Sequence, residues 1–341
     1  MGKLVKVHII SETSFGVKAN GVHTAFLNMI DLLKEKNDVE VITNDDGYGD
    51  VLHSHTYGPY YFWKGRKYKG KKIFTSHIIP DSINGSMPAA KLIKPLLVRY
   101  LKMVYRYADV IISISPMVER AIKELGVKTK VVNIYNPVLT EEWTHTPEKR
   151  AAGRKTLNIS KNDFMVIGVG QLQSRKGVED FMDIAAAMPE AEFIWVGGRP
   201  MGALFTEGVE RIDNRIANAT KNIRFTGMID IKKMPEMYAA ADVMLFTSYQ
   251  ENSPLAPVEG AAAGLPVVFR DIEEYTLLYK TPYLKAKTTA EFIEMTKTLM
   301  HDKAKYAEAA AMSCQLIAQF GKEYIRKQLV DLYNDLNVGK K

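Results

Sequence analysis

Two glutamates eight residues apart, Glu251 and Glu259, bracket Asn252-Ser253-Pro254-Leu255 in the stretch FTSYQENSPLAPVEGAAAGLPVV. DVMLF before it reads as a buried strand. The residues from about Ala256 to Ala263 read as a helix, with Gly264 at its C-terminal stop. Asn252 and Ser253 are favourable N-cap types and Pro254 suits a first helical turn. The strand-to-helix loop thus offers backbone N–H groups and the positive end of a helix dipole to an anion. One carboxylate stands before that anion site and the other about a turn beyond it. This suits a ligand with hydroxyls on both sides of its phosphates, and a sugar nucleotide is such a ligand. Taken singly, the two glutamates read as ordinary helix-terminus and surface charges. Lys176, before a helix, reads singly as a solvated lysine. His77 ends an apolar strand and would serve equally to satisfy a backbone carbonyl. His53 and His55 alternate at a strand end, but with no third ligand in view they read as structural or cleft-lining rather than as a metal pair. No Asp-x-Asp occurs in the chain, and a lone cysteine, Cys314, excludes an intrachain disulfide and a Cys-based zinc site. No metal or resident cofactor is expected.

These residues need a frame, and the chain supplies one twice. LVKVHII, VEVIT, DVLHSH, KKIFTSH and DVIISIS read as strands in the first half, with a polar loop from Ser11 to Gly21 and a helix from Val22 to Lys36. FMVIGVG, a polar loop Gln171–Gly177, a helix Val178–Ala187, then AEFIWVGG, NIRFTG and DVMLFTS repeat the design. Ala108-Asp109-Val110 echoes Ala241-Asp242-Val243, each joining a helix end to a buried strand. The expected class is α/β, with two doubly wound Rossmann-like domains and a cleft at the carboxyl ends of their strands. The expected divisions are an acceptor-side domain 1–140, a linker 141–150, a nucleotide-sugar domain 151–318 and a C-terminal helix 319–341 packing back on the first domain.

The 341 residues carry ordinary apolar and charged fractions, 46% and 25%, which excludes a disordered or low-complexity chain. No run of 18 apolar residues occurs. The apolar run Val7–Ile10 is too short for a secretory signal. A cytoplasmic protein is expected. Its net charge of +7 lies entirely in residues 1–150. Between Tyr61 and Arg106 stand eleven basic residues, among them Lys64, Arg66, Lys67, Arg99, Lys102 and Arg106, against one acid, Asp81. Tyr60-Tyr61-Phe62-Trp63 precedes the run from Lys64 to Lys72, and Pro95 marks the start or a kink of a helix reaching Arg106. Rings beside cations fit an anionic membrane surface. A core aromatic cluster with a solvated basic loop fits the same letters. A basic nucleic-acid-binding protein is the reading from another class, disfavoured because no nucleic-acid motif is present.

The E-x₇-E pattern followed by Gly-Leu-Pro-Val-Val resembles family 4 of the retaining, nucleotide-sugar-dependent glycosyltransferases with the GT-B fold. Gly170-Gln171-Leu172 through Arg175-Lys176-Gly177 resembles that family's phosphate-gripping loop. FIWVGG and the segment from Phe225 to Asp242 resemble its nucleotide-side pieces. Asn20-Gly21-Val22-His23, the stretch from Asp50 to His55 and Thr75-Ser76-His77 match more weakly, and DVLHSHTYGP is similar to bacterial glycolipid-forming members. The resemblance implies a metal-independent hexosyltransferase using a nucleotide diphosphate sugar, with a UDP-sugar as the foremost donor. It implies Lys176, with Arg175, on the diphosphate, Glu251 on the transferred sugar, and the amides of Asn252, Ser253, Pro254 and Leu255 around phosphate and sugar. It also implies Glu259 on the ribose, Gly21 beside the diphosphate, and His77 facing sugar and acceptor. Two departures stand out. Gln171 replaces a common Arg, and Asn20-Gly21 replaces a common Gly-Gly. The acceptor so implied is a membrane lipid or lipid-linked sugar on the inner face of the cell membrane. A capsule or exopolysaccharide intermediate is the alternative acceptor, and a nucleotide-sugar epimerase the alternative reaction. Oligomeric state is not addressed by the sequence.

Overall fold

The computed structural model describes residues 4–15, 21–44, 47–84, 90–199 and 208–338. Apolar runs of Val, Ile and Phe become parallel strands because both of their faces are covered. In a first unit these are β1 (Val5–Ile10), β2 (Val39–Thr43), β3 (Val51–Ser54), β4 (Lys71–Ser76), β5 (Val110–Ser113) and β6 (Lys130–Asn133), ordered β2-β1-β3-β4-β5-β6. In a second unit they are β7 (Met165–Val169), β8 (Glu192–Val196), β9 (Ile223–Phe225), β10 (Val243–Phe246), β11 (Val267–Arg270) and β12 (Leu284–Ala286), ordered β12-β11-β10-β7-β8-β9. Every ladder in both sheets is parallel. Strand order reverses between β1 and β3 in one sheet and between β7 and β10 in the other. Ligands of doubly wound sheets bind at such switch points, beyond the carboxyl ends of the strands.

The first unit comprises residues 1–82, 91–139 and 320–341, and the second 83–90 and 140–319. The helix Lys322–Val338 belongs to the first, where Arg326 pairs with Asp38 and donates to the Leu32 carbonyl at 3.2 Å. Residues 141–150 include parts of the helices Thr140–Trp143 and Pro147–Thr156 and lie within the second unit. There Arg150 donates to the carbonyls of residues 239, 240 and 241 and, at 2.6 Å, to Asp242. The Ala-Asp-Val echo has one structural cause in both halves. Asp109 donates its backbone N–H to the Lys72 carbonyl and takes the Lys72 N–H on a side-chain oxygen, each at 2.8 Å. Asp242 does the same to Met165, also at 2.8 Å. Each aspartate pins the start of a central strand to its neighbour.

Candidate active site

Two of the expected site residues, Lys176 and Glu251, meet at the switch point of the second unit. Lys176 lies in a short 3₁₀ turn, Ser174–Lys176, after β7, and Glu251 lies in the loop after β10. Gly177 follows in the left-handed region at φ +68°, and a Cβ there would sit 2.2 Å from the Thr247 carbonyl oxygen. Only glycine permits that approach. Thr247 then donates its hydroxyl to the carbonyls of Lys176 (3.0 Å) and Gly177 (2.9 Å), and the Tyr249 N–H donates to the Arg175 carbonyl at 2.8 Å. The two loops are thereby stitched into one surface. On it the Lys176 ammonium pairs with Glu251 Oε1, with side chains only 14% and 8% exposed. Ser248 donates to the same carboxylate oxygen at 2.8 Å.

Burial pushes the Glu251 carboxyl up, but Lys176, Arg175 and the bonds from Lys176 and Ser248 outweigh it and hold it below the usual carboxylate range. Burial lowers Lys176, with Glu251 opposing that shift. At neutral pH the pair is ionic, a buried cation already held beside its partner. Arg175 donates to the Gln250 carbonyl at 3.2 Å. Arg270 braces the same loop from β11: it donates to the Thr247 carbonyl at 2.7 Å, pairs with Asp180 and stacks its guanidinium 3.8 Å from the Tyr249 ring centroid.

Glu259 sits in the first turn of the helix Ala256–Ala262 and is buried, accepting from Tyr238 Oη at 2.8 Å. Burial, and then the charge of Glu142, push it up to about 7 against the pull of the Tyr238 bond. That helix starts at Ala256, where the letters place it, but neither Asn252 nor Ser253 caps it. Leu255 is its N-cap without a side-chain bond, and Pro257 takes the first-turn place where a missing N–H costs nothing. Asn252, Ser253 and Pro254 therefore stay in the preceding loop. Asn252 accepts from Gln250 at 3.0 Å, and the buried Ser253 hydroxyl has no partner among the described residues.

His77, Gly21 and the basic residues lie in the first unit. Gly21 opens the helix Gly21–Lys34, is exposed, and a Cβ there would meet nothing among the described residues, so its own packing does not demand a glycine. Asn20 lies outside the described residues. His77 is buried one residue past β4, and His55 Nδ1 lies 3.1 Å from its Nε2. His53 bonds Tyr333 Oη (2.7 Å) and Thr75 Oγ1 (2.6 Å), a structural environment rather than a metal pair. Among the described residues no cluster of three His, Cys, Asp or Glu stands ready for a metal.

The basic run is corrected in two places. Lys64 is 3% exposed. It follows Tyr61 by three on the helix Pro59–Gly65, which turns both inward, and its ammonium lies 5.5 Å from the Tyr48 ring centroid. Of the aromatic run Tyr61 is core and only Trp63, at 61%, is broadly exposed. Arg66, Lys67, Arg99 and Arg106 are exposed and Lys102 is half-buried. Pro95 lies inside, not at the start of, the helix Ala90–Tyr107. That helix buries Leu101, Val104 and Tyr105 and exposes Leu92 (82%), Leu96 (71%) and Met103 on the side of Arg99 and Arg106. Reading the letters alone misses this apolar stripe, along with Thr247, Ser248, Tyr238 and Arg270. The stripe's spacing of four and seven is visible in the sequence; the other four residues act through tertiary contacts that carry no local signal.

The chain is similar to known proteins along both of its units. The model of "Glycosyl transferases group 1" matches residues 163–302, and that of "Glycosyltransferase Family 4" matches residues 49–142. The chain is 30% identical to an alpha-galactosylglucosyldiacylglycerol synthase of Streptococcus pneumoniae over 98% of its own length and 89% of the relative's. It is 30% identical to a processive diacylglycerol alpha-glucosyltransferase of Acholeplasma laidlawii, over 87% of this chain and 89% of that one. Among solved structures it resembles Anabaena HepE in complex with UDP and glucose, with a TM-score of 0.77, 18% identity, and 97% and 99% of the two chains covered. A sucrose-phosphate synthase from Thermosynechococcus elongatus superposes with a TM-score of 0.80, 18% identity, and 98% and 100% coverage. These two likenesses establish the two-domain GT-B fold.

Proposed function

The chain belongs to glycosyltransferase family 4, and on that premise we propose that it transfers a hexose from a UDP-sugar to the hydroxyl of a membrane glycolipid acceptor, with retention at the anomeric carbon. The observation that carries the reading is the buried Lys176–Glu251 pair at the β7/β10 switch point. A cation excluded from water is worth far more to a developing anion than one at the surface. Lys176 stabilises the diphosphate as it departs, with Arg175 adding charge. Glu251 accepts hydrogen bonds from the hexose, Glu259 from the ribose, and the segment Asn252–Leu255 lies along phosphate and sugar. Gly21 leaves the diphosphate room, and His77 serves the transferred sugar. The acceptor oxygen attacks the anomeric carbon on the face the diphosphate leaves, and a departing phosphate oxygen takes the acceptor proton. Lys176 does the charge work here, so the reaction runs without a divalent metal.

The acceptor is assigned from the two relatives, whose names specify diacylglycerol glycolipids, and from the helix Ala90–Tyr107. Its exposed Leu92, Leu96 and Met103 alongside Arg99 and Arg106 suit the interface of an anionic bilayer. Among the described residues no helix is long and apolar enough to cross a membrane, and the proposed attachment is peripheral, on the inner face. The test is incubation with UDP-glucose, UDP-galactose and other sugar nucleotides, with and without diacylglycerol or glucosyldiacylglycerol in vesicles, in EDTA. Lipid-dependent glycolipid formation detected by mass spectrometry is expected. Donor turnover indifferent to lipid, or activity abolished by EDTA and restored by Mg²⁺, overturns the corresponding part.

A further inference from the structure

The two glutamates of the candidate site are held in opposite ways. Glu251 is paired with the Lys176 ammonium. Glu259, 7% exposed, forms no ion pair among the described residues, and its Oε2 accepts from Tyr238 Oη at 2.8 Å. An ionised carboxylate can only accept, so the phenol is the donor. Tyr238 is itself fully buried on the helix Met234–Ala240. Trp143, also buried, meets its ring edge-on, with centroids 5.6 Å apart and planes inclined by 82°. Two arginines tie down the C-terminal end of that helix. Arg150 donates to the carbonyls of Ala239, Ala240 and Ala241, and Arg154 donates to that of Ala240 at 3.0 Å. The Tyr238 hydroxyl is therefore a fixed point, and it reaches Glu259 from a different helix.

We propose that Tyr238 is a positioning residue for the donor ribose: its hydroxyl holds Oε2 of Glu259 and leaves the other carboxylate oxygen to accept from the ribose hydroxyls. That role rests on the place given to Glu259 at the ribose, while the bond between the two side chains does not. A carboxylate held at one oxygen is already ordered before the ligand arrives, so less ordering is left for binding to supply. The bond also favours the charged acceptor. The ionisable groups that face Glu259 among the described residues are Tyr238 and, from the helix Thr140–Trp143, Glu142, and neither brings a positive charge. Burial, with the Glu142 charge, pushes the carboxyl up to about 7, and the Tyr238 bond is what pulls against them. Without that hydroxyl the ionised form, which accepts the stronger bonds, is reached only at higher pH.

The test measures binding of UDP and of 2′,3′-dideoxy-UDP to the full chain by calorimetry. Both ligands carry the same diphosphate, so its own titration cancels in the ratio of their affinities. Near neutral pH the unmodified protein should prefer UDP about ten- to a hundredfold, and the preference should grow as pH rises through about 7. Tyr238→Phe keeps the ring and removes the donor. It should cut the preference about five- to tenfold, leave the affinity for the dideoxy ligand unchanged, and regain the preference only at higher pH. Equal losses for both ligands, the mark of a merely structural ring, overturn the proposal, as does an unchanged preference in folded Tyr238→Phe. Should that variant not fold, Tyr238→4-aminophenylalanine keeps both ring and donor and must keep most of the preference; its loss there overturns the proposal. Glu259→Gln separates the two roles. A full preference in that variant removes Glu259 from the ribose, and Tyr238 with it. A preference lost in Glu259→Gln but kept in Tyr238→Phe overturns the role of Tyr238 alone and leaves Glu259 at the ribose.

Discussion

Replacing Lys176 by Met separates what the buried pair does for catalysis from what it does for the fold. The aliphatic stem is kept, so packing over Gly170, where a Cβ would lie 3.5 Å from Lys176 Cδ, changes little. The charge is lost, and Glu251, 8% exposed, keeps the 2.8 Å bond from Ser248 and the charge of Arg175 but no ion-pair partner. Breaking one side of a buried pair costs about 3–5 kcal/mol, lessened here as Glu251, freed of its cation, takes up a proton under the push of burial. Removal of one preorganised charge contact to the departing diphosphate costs about 10²–10³ in kcat. The double variant Lys176→Met, Glu251→Gln leaves no lone buried charge. It should recover most of the lost stability and none of the lost rate. Thermal melts and initial rates at saturating donor measure the two separately. A single variant retaining more than about a tenth of kcat, or a double variant that regains turnover, refutes the assignment of Lys176 to the leaving group.

Glu259→Gln should weaken UDP-glucose binding about ten- to a hundredfold by calorimetry, since bonds to a charged acceptor are the stronger ones. The wild-type carboxyl, raised to about 7 from 4.5, is favoured by folding in its protonated form, so that stabilisation is complete below about pH 4.5 and is lost as pH rises through 7. The melting temperature of Glu259→Gln relative to wild type should therefore climb across that window, and a flat difference would contradict the burial argument. His53, His55 and His77 have the opposite sign. Their stabilising contribution is complete above 6.5 and is lost as pH falls toward about 3, so acid unfolding should take up more than one proton, and replacing His53 by Gln should shift the midpoint to lower pH. On anionic vesicles, reversing Arg99, Lys102 and Arg106 to Glu should release the protein by several kcal/mol, at about 1 kcal/mol per residue lost and a similar amount per charge reversed. Leu92→Ser with Leu96→Ser should weaken binding at high salt as well. Sedimentation unchanged in both variants would remove the membrane role of this helix.

The central strands were legible because a strand covered on both faces is a short continuous apolar run, as in FIWV of β8 and VMLF of β10. The edge strands β6, KVVN, and β12, LKA, were not, since an edge needs fewer apolar residues and tolerates lysine. The glutamates and the lysine of the candidate site were legible from their motif context. Their supports were not: Thr247 and Ser248 matter only because Gly177 lets one loop touch another seventy residues away. Lys64 shows the converse error. A run of cations says nothing about which of them a seven-residue helix turns toward Tyr48.

The most direct test of the account is the product itself. With UDP-α-glucose as donor and the acceptor lipid held in anionic vesicles, the glycolipid formed should show, by proton NMR, the small anomeric coupling of an α-glucoside and should accumulate in the lipid phase. A β-linked product, or glucose released to water with no glycolipid formed, would contradict it.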